Sequence, residues 1–132
     1  QILSSWQYTE LLPKGKKQFG ETHKKNWGWE YWLDNRPEYC GKILHFDKGK
    51  RCSFHYHLLK TESFAISYGK ILLKYSENDD INQAQEIILE RGETFFIYPG
   101  LRHQMLGLEE SEIIEISTTH FESDSLRILK GD

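Results

Sequence analysis

The sequence is poor in residues that staple, interrupt or anchor a chain. Among 132 residues it has two cysteines, three prolines and one methionine. Cys40 and Cys52 match no zinc-binding spacing. They read most simply as reduced thiols of a cytosolic protein, with a bridge between them left open. No apolar run approaches the roughly 18 residues of a membrane span. The opening QILSSWQYTELLPKGKK lacks the charged-then-apolar pattern of a secretory leader, so the expected location is the cytoplasm, with no membrane partner. An excess of positive charge is missing too. Lys and Arg number 17 against 20 Asp and Glu, a formal net charge of -3, which gives no attraction for nucleic acid. The lysines at 14, 16, 17, 24 and 25 cluster locally, but acids lie nearby and a solvated segment explains them.

What the chain does have is rings and short β-rich runs. Aromatic residues make up 14% and hydrophobic residues 38%, enough for one domain with one core. Residues 1–26 are polar and weakly patterned. Ile2, Leu3, Trp6, Leu11 and Leu12 suggest a short helix or a docking arm, ended by Pro13 and Gly15. From Trp27 the texture changes. WGWEYWL, GKILHF, RCSFHYH, SFAISYG, KILLKYS, QEIILE, ETFFIYP and EIIEIST alternate with turn signals such as Lys48-Gly49, Arg91-Gly92 and Pro99-Gly100. Strands this short and this evenly spaced predict an all-β sandwich or barrel over 27–132. Beyond Trp27 only a turn near Phe121 to Leu126 departs from strand texture.

The densest chemistry is HYHLLKTE, His55 to Glu62. On a strand from Arg51 to His57, Ser53, His55 and His57 share one face. Two histidines on alternate residues can reach one ion, and a glutamate past a corner can return to it. Imidazole nitrogen with carboxylate oxygen suits a divalent transition metal: Mn, Zn, Fe, Ni or Co. His103, after the Pro99-Gly100 turn, is the candidate fourth ligand. A lone His-x-His would more simply be two sheet histidines. Here Gly49 precedes His55-x-His57 by five intervening residues, Glu62 follows after four, and Gly69 after six more. Gly92, Gly100 and His103 then repeat a second pattern of that kind.

These two motifs resemble those of the cupin superfamily. The resemblance implies a single-domain, double-sheet jelly-roll barrel with one metal held by His55, His57, Glu62 and His103. It also implies a homodimer, with the 1–26 arm suited to strand exchange. Proline directly before Gly100 and Gly107 in place of an asparagine depart from the usual second motif. Trp27-Gly28, Lys42, Ser53 and Asp124-x-x-Arg127 are similar to the cupin domain of mannose-6-phosphate isomerases, although the usual Tyr-Gly-Arg terminus is replaced by ILKGD. His-x-His-x-x-Lys-x-Glu and Glu115-x-Ser117 are similar to D-lyxose isomerases.

The implied activity is metal-dependent aldose–ketose isomerisation of a sugar or sugar phosphate. Glu115 would be the base and Lys60 the polarising or proton-relaying group. Alternation in EIIEIST sets Glu115 opposite to Ile114 and Ile116, and a pocket is a cheaper place than a core for an unpaired carboxylate. Lys60 reads equally as a solvated turn residue. Lys42, Arg102 and Arg127 are candidates to grip a phosphate; His120 is a candidate to contact sugar hydroxyls, and Ser53 and Ser117 are candidates to contact the substrate. His45 reads as a surface or packing residue. Trp27, Trp29, Tyr31 and Trp32 suit either ring stacking on a sugar or packing. The competing functions are an iron-dependent dioxygenase and a non-catalytic sugar-binding cupin.

Overall fold

The computed structural model describes residues 17–132. The expected N-terminal arm, with its proposed exchange between subunits, lies largely outside them. Eleven strands follow in order: β1 (Glu21–Lys25), β2 (Gly28–Asn35), β3 (Cys40–Phe46), β4 (Phe54–Tyr56), β5 (Glu62–Tyr68), β6 (Lys70–Ser76), β7 (Gln85–Glu90), β8 (Thr94–Ile97), β9 (Arg102–Gly107), β10 (Ser111–Ser117) and β11 (Leu126–Leu129). Two short 3₁₀ turns, Ile81–Gln83 and Glu122–Asp124, are the helical elements among the described residues.

The strands form two antiparallel sheets, one of six in the order β1-β2-β3-β10-β5-β8 and one of five in the order β11-β4-β9-β6-β7. The core lies between them. Leu44, Phe46, Phe64, Ile66, Ile71, Leu73, Ile97, Met105 and Ile113 are buried there, one face of each strand supplying the contacts. Burying each such side chain contributes roughly 1.5–3 kcal/mol.

Three details depart from the sequence reading. The arm boundary at Trp27 falls inside a hairpin, because Glu21–Lys25 pairs in register with β2, from Glu21 opposite Trp32 to Lys25 opposite Gly28. The strand expected over Arg51–His57 is regular only at Phe54–Tyr56. Arg51 makes an isolated bridge to Leu106, and the Cys52 amide reaches the Met105 carbonyl at 3.1 Å. Strands β9 and β11 were not among the predicted runs. β9 hides its hydrophobic period because His103 and Gln104 are themselves buried.

Glycine places the site at two turns. Gly69 has φ 91° between β5 and β6, and a Cβ there would run into Ser111 and the Glu110 carbonyl. Gly100, with φ 89°, donates its amide to the His57 carbonyl at 2.7 Å, tying the turn before β9 to the end of the His55–His57 segment.

Candidate functional site

His55 lies on β4 and His103 on β9, directly opposed in the antiparallel pairing, while His57 follows β4 by one residue. One ring nitrogen from each lies within 4.8 Å of the other two. The orientation of all three rings is fixed by main-chain oxygen. Nδ1 of His55 lies 3.0 Å from the Ser53 carbonyl, Nδ1 of His57 2.9 Å from the Asp124 carbonyl, and Nδ1 of His103 2.9 Å from the Leu101 carbonyl. A carbonyl only accepts, so each Nδ1 carries the proton and each Nε2 presents a lone pair. Ser53 Oγ sits 3.1 Å from His55 Nδ1 as well.

Glu62 begins β5 and returns to the same point. Its Oε2 is 3.3 Å from His103 Nε2 and 3.5 Å from His57 Nε2. That oxygen is buried with no hydrogen-bond partner. Two imidazole lone pairs and a carboxylate oxygen thus converge with no proton to share, an arrangement a cation relieves. The residues fit a divalent metal on this ground. Burial pushes the His55 and His57 imidazoles down, His55 well below the usual value, which keeps them in the neutral form that ligates. Burial alone would raise the Glu62 carboxyl. His103 and His57, whenever they carry a proton, and the Lys60 ammonium outweigh it and hold Glu62 well below the usual carboxylate range.

Lys60 is 3% exposed, so the structure rejects the solvated-turn reading. Its Nζ lies 3.1 Å from Glu62 Oε1 and 2.9 Å from Glu115 Oε2. Those two carboxylates hold its pKa above the usual lysine value against the opposing effect of burial. The Glu115 contact is at ion-pair distance but lacks hydrogen-bond geometry, so Oε2 remains without a directed donor. Burial, then the Glu62 charge, raises the Glu115 carboxyl, with Lys60 and Lys42 opposing. Glu115 faces inward from the middle of β10, opposite Lys42 on β3.

These groups line a cavity of about 280 Å³ together with Ser53, Lys42, His120 and Arg127. Lys42 is engaged: its Nζ lies 4.2 Å from the Trp32 ring centre and 3.9 Å from Glu30 Oε1, which also accepts from Trp32 Nε1 at 2.8 Å. Glu30 and Trp32 therefore belong to the wall. His120 stands edge-on to Trp32 and contacts Glu122 Oε1 through Nε2 at 3.2 Å. Burial, Lys42 and Lys60 lower its pKa. Arg127 lies opposite His55 in the β11–β4 pairing, which directs both side chains to one face.

Two predicted contacts are not brought to the cavity. Arg102 pairs with Asp79 at 2.9 Å and lies over the Tyr56 ring, on the far side of β9 from His103. Alternation forces that, since the two are adjacent residues. Ser117 is buried beyond Glu115 on the same face, and its hydroxyl donates to the Thr118 carbonyl instead. Both cysteines are free; burial pushes the Cys52 thiol up to about 12. His45 packs against Trp29, with rings 5.0 Å apart, on the outer face.

No protein-family model matches the chain, and no curated protein does. Solved structures do. A single-residue variant of Bacillus subtilis oxalate decarboxylase superposes with TM-score 0.70 at 13% identity, over 82% of this chain and 30% of that one. KdgF from a Halomonas species gives 0.67 at 14%, over 80% and 98%. The capsular polysaccharide assembling protein CapF of Staphylococcus aureus gives 0.71 at 18%, over 91% and 37%. The fold is that of the cupins. At these identities the likeness is one of fold. The chain spans about a third of the length of oxalate decarboxylase and of CapF, and nearly all of KdgF. His55, His57, Glu62 and His103 meet because β4, β5 and β9 bring them to one cavity. Among the described residues no helix is long and apolar enough to cross a membrane.

Proposed function

We propose that this cupin isomerises a monosaccharide or monosaccharide phosphate between aldose and ketose, using a divalent metal held by His55, His57, Glu62 and His103. The observation that carries the reading is the buried Glu62–Lys60–Glu115 chain, which joins a carboxylate of the metal-holding group to an inward carboxylate with no other role in the core. A metal at this position supplies Lewis acidity toward a carbonyl and a neighbouring hydroxyl. Glu115 takes the proton from the hydroxyl-bearing carbon beside the carbonyl and returns it to the former carbonyl carbon, while the hydroxyl proton passes to the former carbonyl oxygen, so no electron acceptor is consumed. Burial raises its carboxyl above the usual carboxylate value, the direction that makes it a stronger base. The Lys60 ammonium faces the charge that grows on the sugar oxygen. A cavity of about 280 Å³ suits one sugar unit rather than a polymer. Arg127 makes no ion pair among the described residues, whereas Lys42 and Arg102 are engaged. It is the cation best placed for an anionic group on the sugar.

The test is NMR of metal-reconstituted protein under argon against aldoses, ketoses and their 6-phosphates. Growth of an isomeric peak establishes the class and identifies the sugar. A silent panel with fully loaded metal overturns the reading and favours oxygen chemistry at ferrous iron, which the same ligand set suits, or simple binding.

A further inference from the structure

The corner Leu58–Thr61 carries Lys60 and leads into Glu62; its Thr61 carbonyl accepts from the Thr118 amide at 3.1 Å, but none of its own amides finds a backbone acceptor among the described residues. Its amide protons go elsewhere, and three of the four go to one side chain. Leu58 donates to Asp124 Oδ1 at 2.8 Å. Leu59 is shared between Oδ1 at 3.1 Å and Oδ2 at 3.2 Å. Lys60 donates to Oδ2 at 3.1 Å. The fourth, from Thr61, reaches Thr118 Oγ1 at 3.1 Å.

Asp124 is 5% exposed, and among the described residues no cation pairs with it, so its charge is met by backbone N–H groups alone. The same residue's carbonyl accepts from His57 Nδ1 at 2.9 Å. One residue of the Glu122–Asp124 turn therefore grips both the ring of a histidine in the metal-holding group and the corner that presents Lys60.

We propose that Asp124 is a positioning residue that sets the angle between the His57 imidazole and the Lys60–Glu62 segment, and through it the metal geometry. The proposal rests on the metal site described above. It makes an asymmetric demand. Asparagine at 124 can keep one oxygen for Leu58 and Leu59, but its amide would then oppose the Lys60 N–H, so the disturbance should fall on the Lys60 end.

The experiment uses the full chain and cobalt(II) as probe. In the wild type, amide hydrogen exchange of Leu58, Leu59 and Lys60 should be slow, although Leu58 and Leu59 are 60% and 68% exposed. In Asp124→Asn, exchange at Lys60 should quicken more than at Leu58. Cobalt affinity should fall by about 10- to 100-fold, and the visible d–d spectrum should change with the altered ligand angle. Wild-type affinity and spectrum in Asp124→Asn would overturn the proposal. So would rapid exchange of all three amides in the wild type, which needs no variant and decides the matter if Asp124→Asn does not fold. If the wild type takes up no cobalt, the metal reading fails, while the exchange pattern still reports whether Asp124 holds the corner.

Discussion

The two faces of β10 are opposite to what a solvent-covered sheet should show. Inward, Glu115 is 4% exposed; outward, Ile114 and Ile116 are 37% and 63% exposed. Ile113 keeps to the core and Glu112 to the outer face, but from Ile114 to Ile116 the strand hides Glu115 and displays two isoleucines, which spends stability on both sides. Inside, the cost is answered by Lys60 and Lys42, the two lysines that act on the Glu115 charge. Outside, Ile116 stands beside Gly41 and Ser63, Ser63 is paired with Phe96, and Ile114 stands beside Ile43 and Ala65. The result is a low, apolar outer face of the larger sheet. Contiguous apolar surface of this kind marks a contact more often than bare solvent exposure. We propose that the inversion lets one strand serve two demands: chemistry within the barrel and pairing with a second copy of the chain without.

The sharpest break of the inner face is Glu115→Gln. Turnover of the responding sugar should fall by about 10²- to 10⁴-fold with metal content unchanged. Unaltered turnover would remove Glu115 from the mechanism. Lys60→Met comes next, because it leaves Glu62 and Glu115 buried without their shared cation. The metal-free protein should lose about 3–5 kcal/mol in denaturant titration, and added divalent metal should restore part of that loss. Equal stability with and without metal would mean the ion does not offset the Glu62 charge.

Acid should reach the inner face before the outer. His55 and His57 have folded pKa values below the ordinary 6.5, so above that pH both folded and unfolded chains carry them neutral. As pH falls below 6.5 the unfolded chain takes up protons that the folded one refuses. Stability then declines, by up to about 1.4 kcal/mol per pH unit for each histidine. Melting temperature of the chelator-treated protein should be flat from pH 8 to 7 and drop from about 6.5 downward; a flat curve to pH 5 would contradict the burial of these rings. The smallest effect belongs outside. Ile116→Lys should change folding stability by no more than about 0.5 kcal/mol yet shift a homodimer to monomer in analytical ultracentrifugation. A monomeric wild type would leave the exposed isoleucines without that explanation.

Legibility followed this same divide. The strands with alternating or continuous apolar runs, such as SFAISYG, KILLKYS and EIIEIST, could be read directly because a buried face imposes a period of two. The four residues that converge could be read from spacing, since the motif glycines Gly49, Gly69, Gly92 and Gly100 all adopt positive φ and fix the turns between them. β9 was missed because the site puts His103 on its inner face, while Gln104, buried on the other face, donates to the Cys52 carbonyl. Arg102 was misplaced because a charge next to a site histidine looks functional, while alternation sends it outward to Asp79. Asp124 left no signal of its role: its partners are amides of Leu58, Leu59 and Lys60, and backbone donors have no side-chain identity to read.

The three carbonyls that hold the histidine rings have a further consequence. Ser53, Leu101 and Asp124 provide this support through atoms every residue possesses. Replacing a side chain cannot delete them, so the ring of imidazoles tolerates wide drift in its surroundings as long as the turns keep their path. The walls, by contrast, are written in side chains: Glu30, Trp32, Lys42, His120 and Arg127 can be exchanged one at a time. Such a division would let a lineage vary the walls of the cavity while the three imidazoles keep their places.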